Sequence, residues 1–93
     1  MIKSFGNKLA EAAWARRFIK GIPNEIMRVA NRKLTQLHSA RSLNDLRSPP
    51  GNRLEALAAN RTGQHSIRIN DQWRVCFRWY KGDAYDVEVV DYH

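Results

Sequence analysis

Residues 73–79 read Trp73-Arg74-Val75-Cys76-Phe77-Arg78-Trp79, and the alternation in this stretch decides the fold. Trp73, Val75, Phe77 and Trp79 point one way and Arg74, Cys76 and Arg78 the other, the period-two pattern of a strand with one buried face. Turn chemistry brackets it. Asn70-Asp71 precedes the strand, and Lys81-Gly82-Asp83 makes a hairpin turn into Tyr85–Asp91, where Tyr85, Val87 and Val89 share a side. Upstream, His65–Ile69 alternates, with Ile67 and Ile69 opposite Ser66 and Arg68. Arg53–Ala58 is a further strand candidate, followed by the turn Asn60-Arg61-Thr62-Gly63.

The first half of the chain has the helical period instead. From Asn24 to His38 the apolar residues Ile26, Val29, Ala30, Leu34 and Leu37 form one stripe, with Arg28 and Arg32 on the opposite side. Leu9–Ile19 places Leu9, Ala12, Ala13, Phe18 and Ile19 near one stripe; Gly21 ends that helix and Pro23 suits the first turn of the next. Met1–Phe5 is a short strand candidate. Leu43 and Leu46 make one short helical turn. Ser48–Asn52 can be neither helix nor central strand, and it completes a connection about as long as small domains usually tolerate without a function. The expected architecture is one α+β domain over residues 1–93, with two N-terminal helices on one face of a small, mainly antiparallel sheet. Arg74 and Arg78 then emerge on the helix-free face, a floor suited to RNA or phosphate.

Composition bounds the function. With 93 residues, 43% hydrophobic and 10% aromatic, the chain supports one folded core, not a disordered basic tail, a second domain or a doubly wound sheet. Its net charge of +7 points to nucleic acid, a ribonucleoprotein, an acidic protein or an anionic membrane. Residues 1–61 hold 12 basic and 4 acidic side chains, whereas residues 62–93 hold 4 and 5. Arginine outnumbers lysine by 11 to 5, which suits forked contacts to phosphate but also follows from drift in a high-GC genome. Cys76 is the only cysteine, so no intrachain disulfide or Cys-based zinc site is available. No secretory h-region, transit peptide or apolar run of roughly 18 residues is apparent, and a cytoplasmic protein without membrane contact is expected.

Phosphate-loop, dinucleotide, zinc-protease and serine-hydrolase motifs are absent, and His38, His65 and His93 lack metal-ligand spacing. No metal or cofactor is expected. RNA cleavage fits the remaining side chains because the nucleophile belongs to the substrate: a 2′-hydroxyl attacks its own phosphate if a base, a cation and an acid are supplied. Asp91-Tyr92-His93 is the densest acid–base cluster, or it merely finishes the last strand. Arg74 reads as an exposed-face arginine or as the transition-state cation, and Arg61 and Arg68 read likewise. Arg28, Arg32 and Arg47 suit a solvated face or contacts along a nucleic-acid backbone. Trp73, Phe77 and Trp79 are expected in the core, Trp14 is core or a docking anchor, and His65 and Cys76 are structural.

The opening MIKSF, the run LRSPPGNRLEALAANRTGQHSIRINDQWRVCFRW from Leu46 to Trp79, and the ending VEVVDYH together resemble the HigB-like toxins of the RelE/ParE toxin–antitoxin superfamily, in particular the GraT-like subgroup. The resemblance implies a ribosome-dependent, metal-independent endoribonuclease that cuts mRNA in the A site of the 30S subunit and so inhibits translation and growth. It also implies a HigA-like helix-turn-helix antitoxin, with operator DNA reached only through that partner. Asp91, Tyr92 and His93 match the family's C-terminal catalytic trio, and Arg74 its strand arginine near the scissile phosphate. Arg53, Arg61, Arg68, Arg47, Arg28 and Arg32 are the expected RNA and phosphate contacts. The sequence departs from relatives that carry His and Lys where Glu55 and Ala58 stand here; Glu55, Arg53 and Arg61 are the candidate substitutes, and the departure bears on the efficiency of the chemistry more than on its class. The rival readings are a ParE-like gyrase inhibitor without catalysis and an RNA- or ribosome-binding module with little cleavage.

Overall fold

Asn7 opens the first helix by accepting the Ala10 amide on its side-chain oxygen at 3.0 Å. In this computed structural model, which describes residues 1–92, that helix is α1 (Lys8–Trp14), shorter than the expected Leu9–Ile19. Arg16 supplies the reason. It takes the left-handed conformation (φ 59°), and the Arg16 and Arg17 amides close back onto the carbonyls of Ala13 and Ala12, a turn that ends a helix and usually uses glycine. Phe18 and Ile19 therefore lie beyond the helix, 53% and 39% exposed, not on its apolar stripe. The second helix, α2 (Asn24–Ser39), follows its expected span and buries Met27, Ala30, Leu34 and Leu37.

Four strands follow: β1 (Glu55–Ala56), β2 (Gln64–Arg68), β3 (Trp73–Tyr80) and β4 (Asp83–Asp91), antiparallel neighbours in that order. β1 is only two residues long because Arg53 (φ 45°) and Ala59 (φ 55°) turn the chain on either side of it. Met1–Phe5 is not a full strand. It forms two isolated parallel bridges, Ile2 to Ala84 and Phe5 to Val87, which cover the outer edge of β4. Short 3-10 turns at Leu43–Arg47 and Pro50–Asn52 occupy the connection, so the Pro-Gly-Asn segment is more ordered than its composition suggests.

The sheet register corrects one face assignment. Cys76 opposes Glu88 whereas Arg78 opposes Tyr85, so β4 carries one extra residue, and Asp86 takes a left-handed φ of 52°. This bulge flips the strand's parity. Ala84, not Tyr85, joins Val87 and Val89 in the core, while Tyr85 sits beside Arg78. Phe77, Ile67, Val75, Leu34 and Leu37 complete the core between the helices and one sheet face, each contributing on the order of 1.5–3 kcal/mol. Trp73 and Trp79 are half-buried at its margin. Trp14 belongs there too, with ring contacts to Phe5 at 6.4 Å and His38 at 5.1 Å. Among the described residues, no helix is long and apolar enough to cross a membrane.

Candidate active site

Strand parity sends Arg74 through the helix-free face of the sheet, where three elements meet its guanidinium. Nε donates to Ser66 Oγ on β2 at 2.8 Å, and one terminal nitrogen donates to the Arg53 carbonyl at 2.7 Å. The other stands 3.6 Å from Glu55 Oε1 on β1, an ion pair longer than a hydrogen bond. The Arg74 side chain is only 13% exposed, so these partners offset the cost of withdrawing a charge from water. Above it, the guanidinium carbon lies 5.9 Å from the centre of the Tyr92 ring, within cation–π range.

Arg61 reaches over the same face from the turn after β1. It donates to Glu88 Oε1 at 2.9 Å and to Gln64 Oε1 at 3.0 Å. The Glu88 hydrogen bond holds Arg61 even more firmly protonated than a free arginine. Beneath this pair lies Cys76, fully buried; burial is the main cause that pushes its thiol above the ordinary value. Arg68 opposes Arg74 in the ladder and is ion-paired with Asp71.

Asp91 opposes Trp73, so its side chain leaves the strand on the side opposite Tyr92 and Arg74, and it accepts a bond from Gln72 Nε2 at 2.9 Å. Gln72 also receives the Tyr92 amide on its carbonyl, which pins the strand end that carries Tyr92. His93, the remaining member of the expected trio, lies outside the described residues. The structure thus gathers Arg74, Tyr92, Glu55 and Arg61, with the Arg53 carbonyl, and sets Asp91 apart from them.

The helical layer carries the other expected contacts. Arg28 pairs with Glu25 at 3.6 Å and stacks over Phe18 at 5.5 Å, Arg32 is exposed along α2, and Arg47 ends its 3-10 turn. A cleft of about 430 Å³ opens there, lined by Arg16, Arg17, Phe18, Met27, Arg28 and Asn31, on the opposite side of the sheet from Arg74. None of these arginines joins the Arg74 cluster.

Three residues of the cluster's surroundings escaped the sequence reading. Ser66 and Glu88 were accessible to it, since alternation puts both on the helix-free face. Asn52 was not. It is fully buried, accepts Lys33 Nζ at 2.6 Å, and donates to the Leu46 carbonyl at 3.2 Å and to Gln36 Oε1 at 3.1 Å. Burial first, then the charges of Arg32 and Arg68, lower Lys33 below its ordinary value of 10.5. Among the described residues, no group of three or more His, Cys, Asp or Glu side chains is arranged to hold a metal ion.

A chain of the YoeB–YefM complex from Staphylococcus aureus has the same architecture, with a TM-score of 0.63 over 100% of this chain and 98% of that one, at 17% identity. Residues 4–93 match the model of the RelE-like toxin of the type II toxin–antitoxin system HigB, and the chain belongs to this family of HigB-like toxins. It is 48% identical to Toxin HigB-1 of Vibrio cholerae over 63 residues, which are 68% of this chain and 66% of that one. It thus spans just under two thirds of that relative's length. With Endoribonuclease HigB of Proteus vulgaris it shares 30% identity over 93 residues, the whole of both chains.

Proposed function

We propose that this chain is a metal-independent endoribonuclease that cleaves mRNA in the A site of the translating ribosome, and thereby arrests translation and growth. The observation that carries the reading is the Arg74 guanidinium, held on the helix-free sheet face by Ser66, the Arg53 carbonyl and Glu55 with Tyr92 above it. A substrate 2′-oxygen attacks the adjacent phosphorus as its proton leaves to a base, and the bond from phosphorus to the 5′-oxygen breaks. The products are a 2′,3′-cyclic phosphate and a 5′-hydroxyl. Arg74, with Arg61 beside it, stabilises the charge on the phosphorane. Glu55 takes the proton, His93 supplies one to the leaving oxygen, and Tyr92 stacks on a base. Asp91 acts through Gln72 by fixing the strand end that carries Tyr92.

The full-length likeness to a protein named Endoribonuclease HigB supports this chemistry. The surplus charge on the helical layer, including Arg28, Arg32 and Arg47, supplies attraction to ribosomal RNA in the cytoplasm, while Arg53 and Arg68 border the cluster and contact the message. The neutralising partner is a HigA-like helix-turn-helix antitoxin, through which alone operator DNA is contacted. A solved toxin–antitoxin complex of the same fold supports such a partner. Induced expression with mapping of mRNA 5′ ends tests the proposal. New ends within codons are expected, and growth arrest with intact transcripts excludes cleavage.

A further inference from the structure

We propose that Asn52 is a positioning residue for the Arg74 guanidinium, acting through the backbone carbonyl of Arg53; this rests on the endoribonuclease reading. Asn52 has no exposed surface, and its side chain is bonded on every side. Oδ1 accepts the Lys33 ammonium at 2.6 Å, and Nδ2 donates to Gln36 Oε1 at 3.1 Å, the Leu46 carbonyl at 3.2 Å and, weakly, the Ser48 carbonyl at 3.4 Å. A connection rich in proline and glycine is thereby fastened to α2. Its backbone is fastened as well, by the Asn52 amide on the Pro49 carbonyl at 2.9 Å and the Arg53 amide on the Pro50 carbonyl at 3.2 Å.

The next residue converts this anchoring into a site. Arg53 takes a left-handed conformation (φ 45°, ψ 54°), uncommon for a side chain of its size, and the surroundings must hold it there. Its carbonyl then accepts from Arg74 at 2.7 Å and, with Ser66 Oγ at 2.8 Å, fixes the plane of the guanidinium. A chain of contacts therefore runs from Lys33 and Gln36 in the helical layer, through Asn52 and the Arg53 carbonyl, to Arg74 on the far face of the sheet. Aspartate at position 52 would keep the lysine but present lone pairs to the Leu46 and Ser48 carbonyls. Leucine would satisfy none of these groups.

A catalytic cation loses effect steeply with displacement, up to about 100-fold in rate for roughly 1 Å. The test is a double-mutant cycle read as cleavage of a defined mRNA on programmed ribosomes. Asn52→Ala is expected to lower kcat by about 10- to 100-fold with KM unchanged. In an Arg74→Ala background the same change is expected to cost less than about twofold. Gln36→Ala, at a half-exposed helix position, removes one acceptor of Asn52 while leaving the core filled, and it applies the same test if Asn52→Ala does not fold. Equal losses in both backgrounds, or no change in kcat, overturn the role of Asn52 alone. Undiminished cleavage by Arg74→Ala overturns the site reading and this inference together.

Discussion

Glu55 and Arg74 face each other at 3.6 Å across β2, brought together from strands that are not hydrogen-bonded neighbours. The ladder explains the meeting: Glu55 opposes Ser66, Ser66 opposes Cys76, and Arg74 leans onto Ser66 from the adjacent position on the same face. A half-exposed carboxylate beside a mostly covered guanidinium can take a proton from the nucleophile that the cation helps to orient. Glu55→Gln keeps the shape and removes the base, so kcat for mRNA cleavage is expected to fall by at least about 100-fold while the thermal midpoint holds. A variant that cleaves as fast or faster would mean that Glu55 only neutralises Arg74.

On the proposed reading, the helical layer attracts ribosomal RNA. Arg28→Glu and Arg32→Glu are expected to weaken association with ribosomes, and each neutralised contact lowers the slope of log affinity against log salt by about one. Titration of labelled protein against ribosomes at several salt concentrations reads this. An unchanged slope would remove these residues from the RNA contact.

Lys33 predicts a pH dependence of stability. Its folded pKa is depressed below 10.5, chiefly by burial, so above the folded value the unfolded chain binds more protons than the folded one. Stability from this group therefore rises with pH between the folded pKa and 10.5, the reverse of a lysine gaining a carboxylate partner. Denaturant unfolding across the alkaline range is expected to show that rise and to lose it in Lys33→Gln. A rise of the same size in the variant would assign it elsewhere.

Much of this was legible in the chain because β3 has one buried face. A period of two over Trp73–Trp79 sets which way Arg74 points, and the resemblance of the C-terminal run is the source of the chemistry proposed for it. What escaped depended on single backbone conformations. Arg16 ends α1 in a conformation usually left to glycine, and Gly21, the visible stop signal, stands beyond the true end. Asp86 inserts a bulge that composition does not announce, which moved Tyr85 to the wrong face. Asn52 sits in a polar loop that reads as exposed, and only the three-dimensional meeting with Lys33 and Gln36 buries it. Glu55 was visible only as a departure from the pattern of relatives, and its proximity to Arg74 required the ladder.

The central claim is that Arg74 stabilises the phosphorane of a ribosome-bound message. Ribosomes programmed with a defined codon in the A site, incubated with purified chain, are expected to yield fragments ending in 2′,3′-cyclic phosphate. Arg74→Ala is expected to form them roughly 100- to 1,000-fold more slowly at unchanged ribosome affinity. Uncut mRNA with the unaltered chain, or equal rates from the two proteins, would contradict the account.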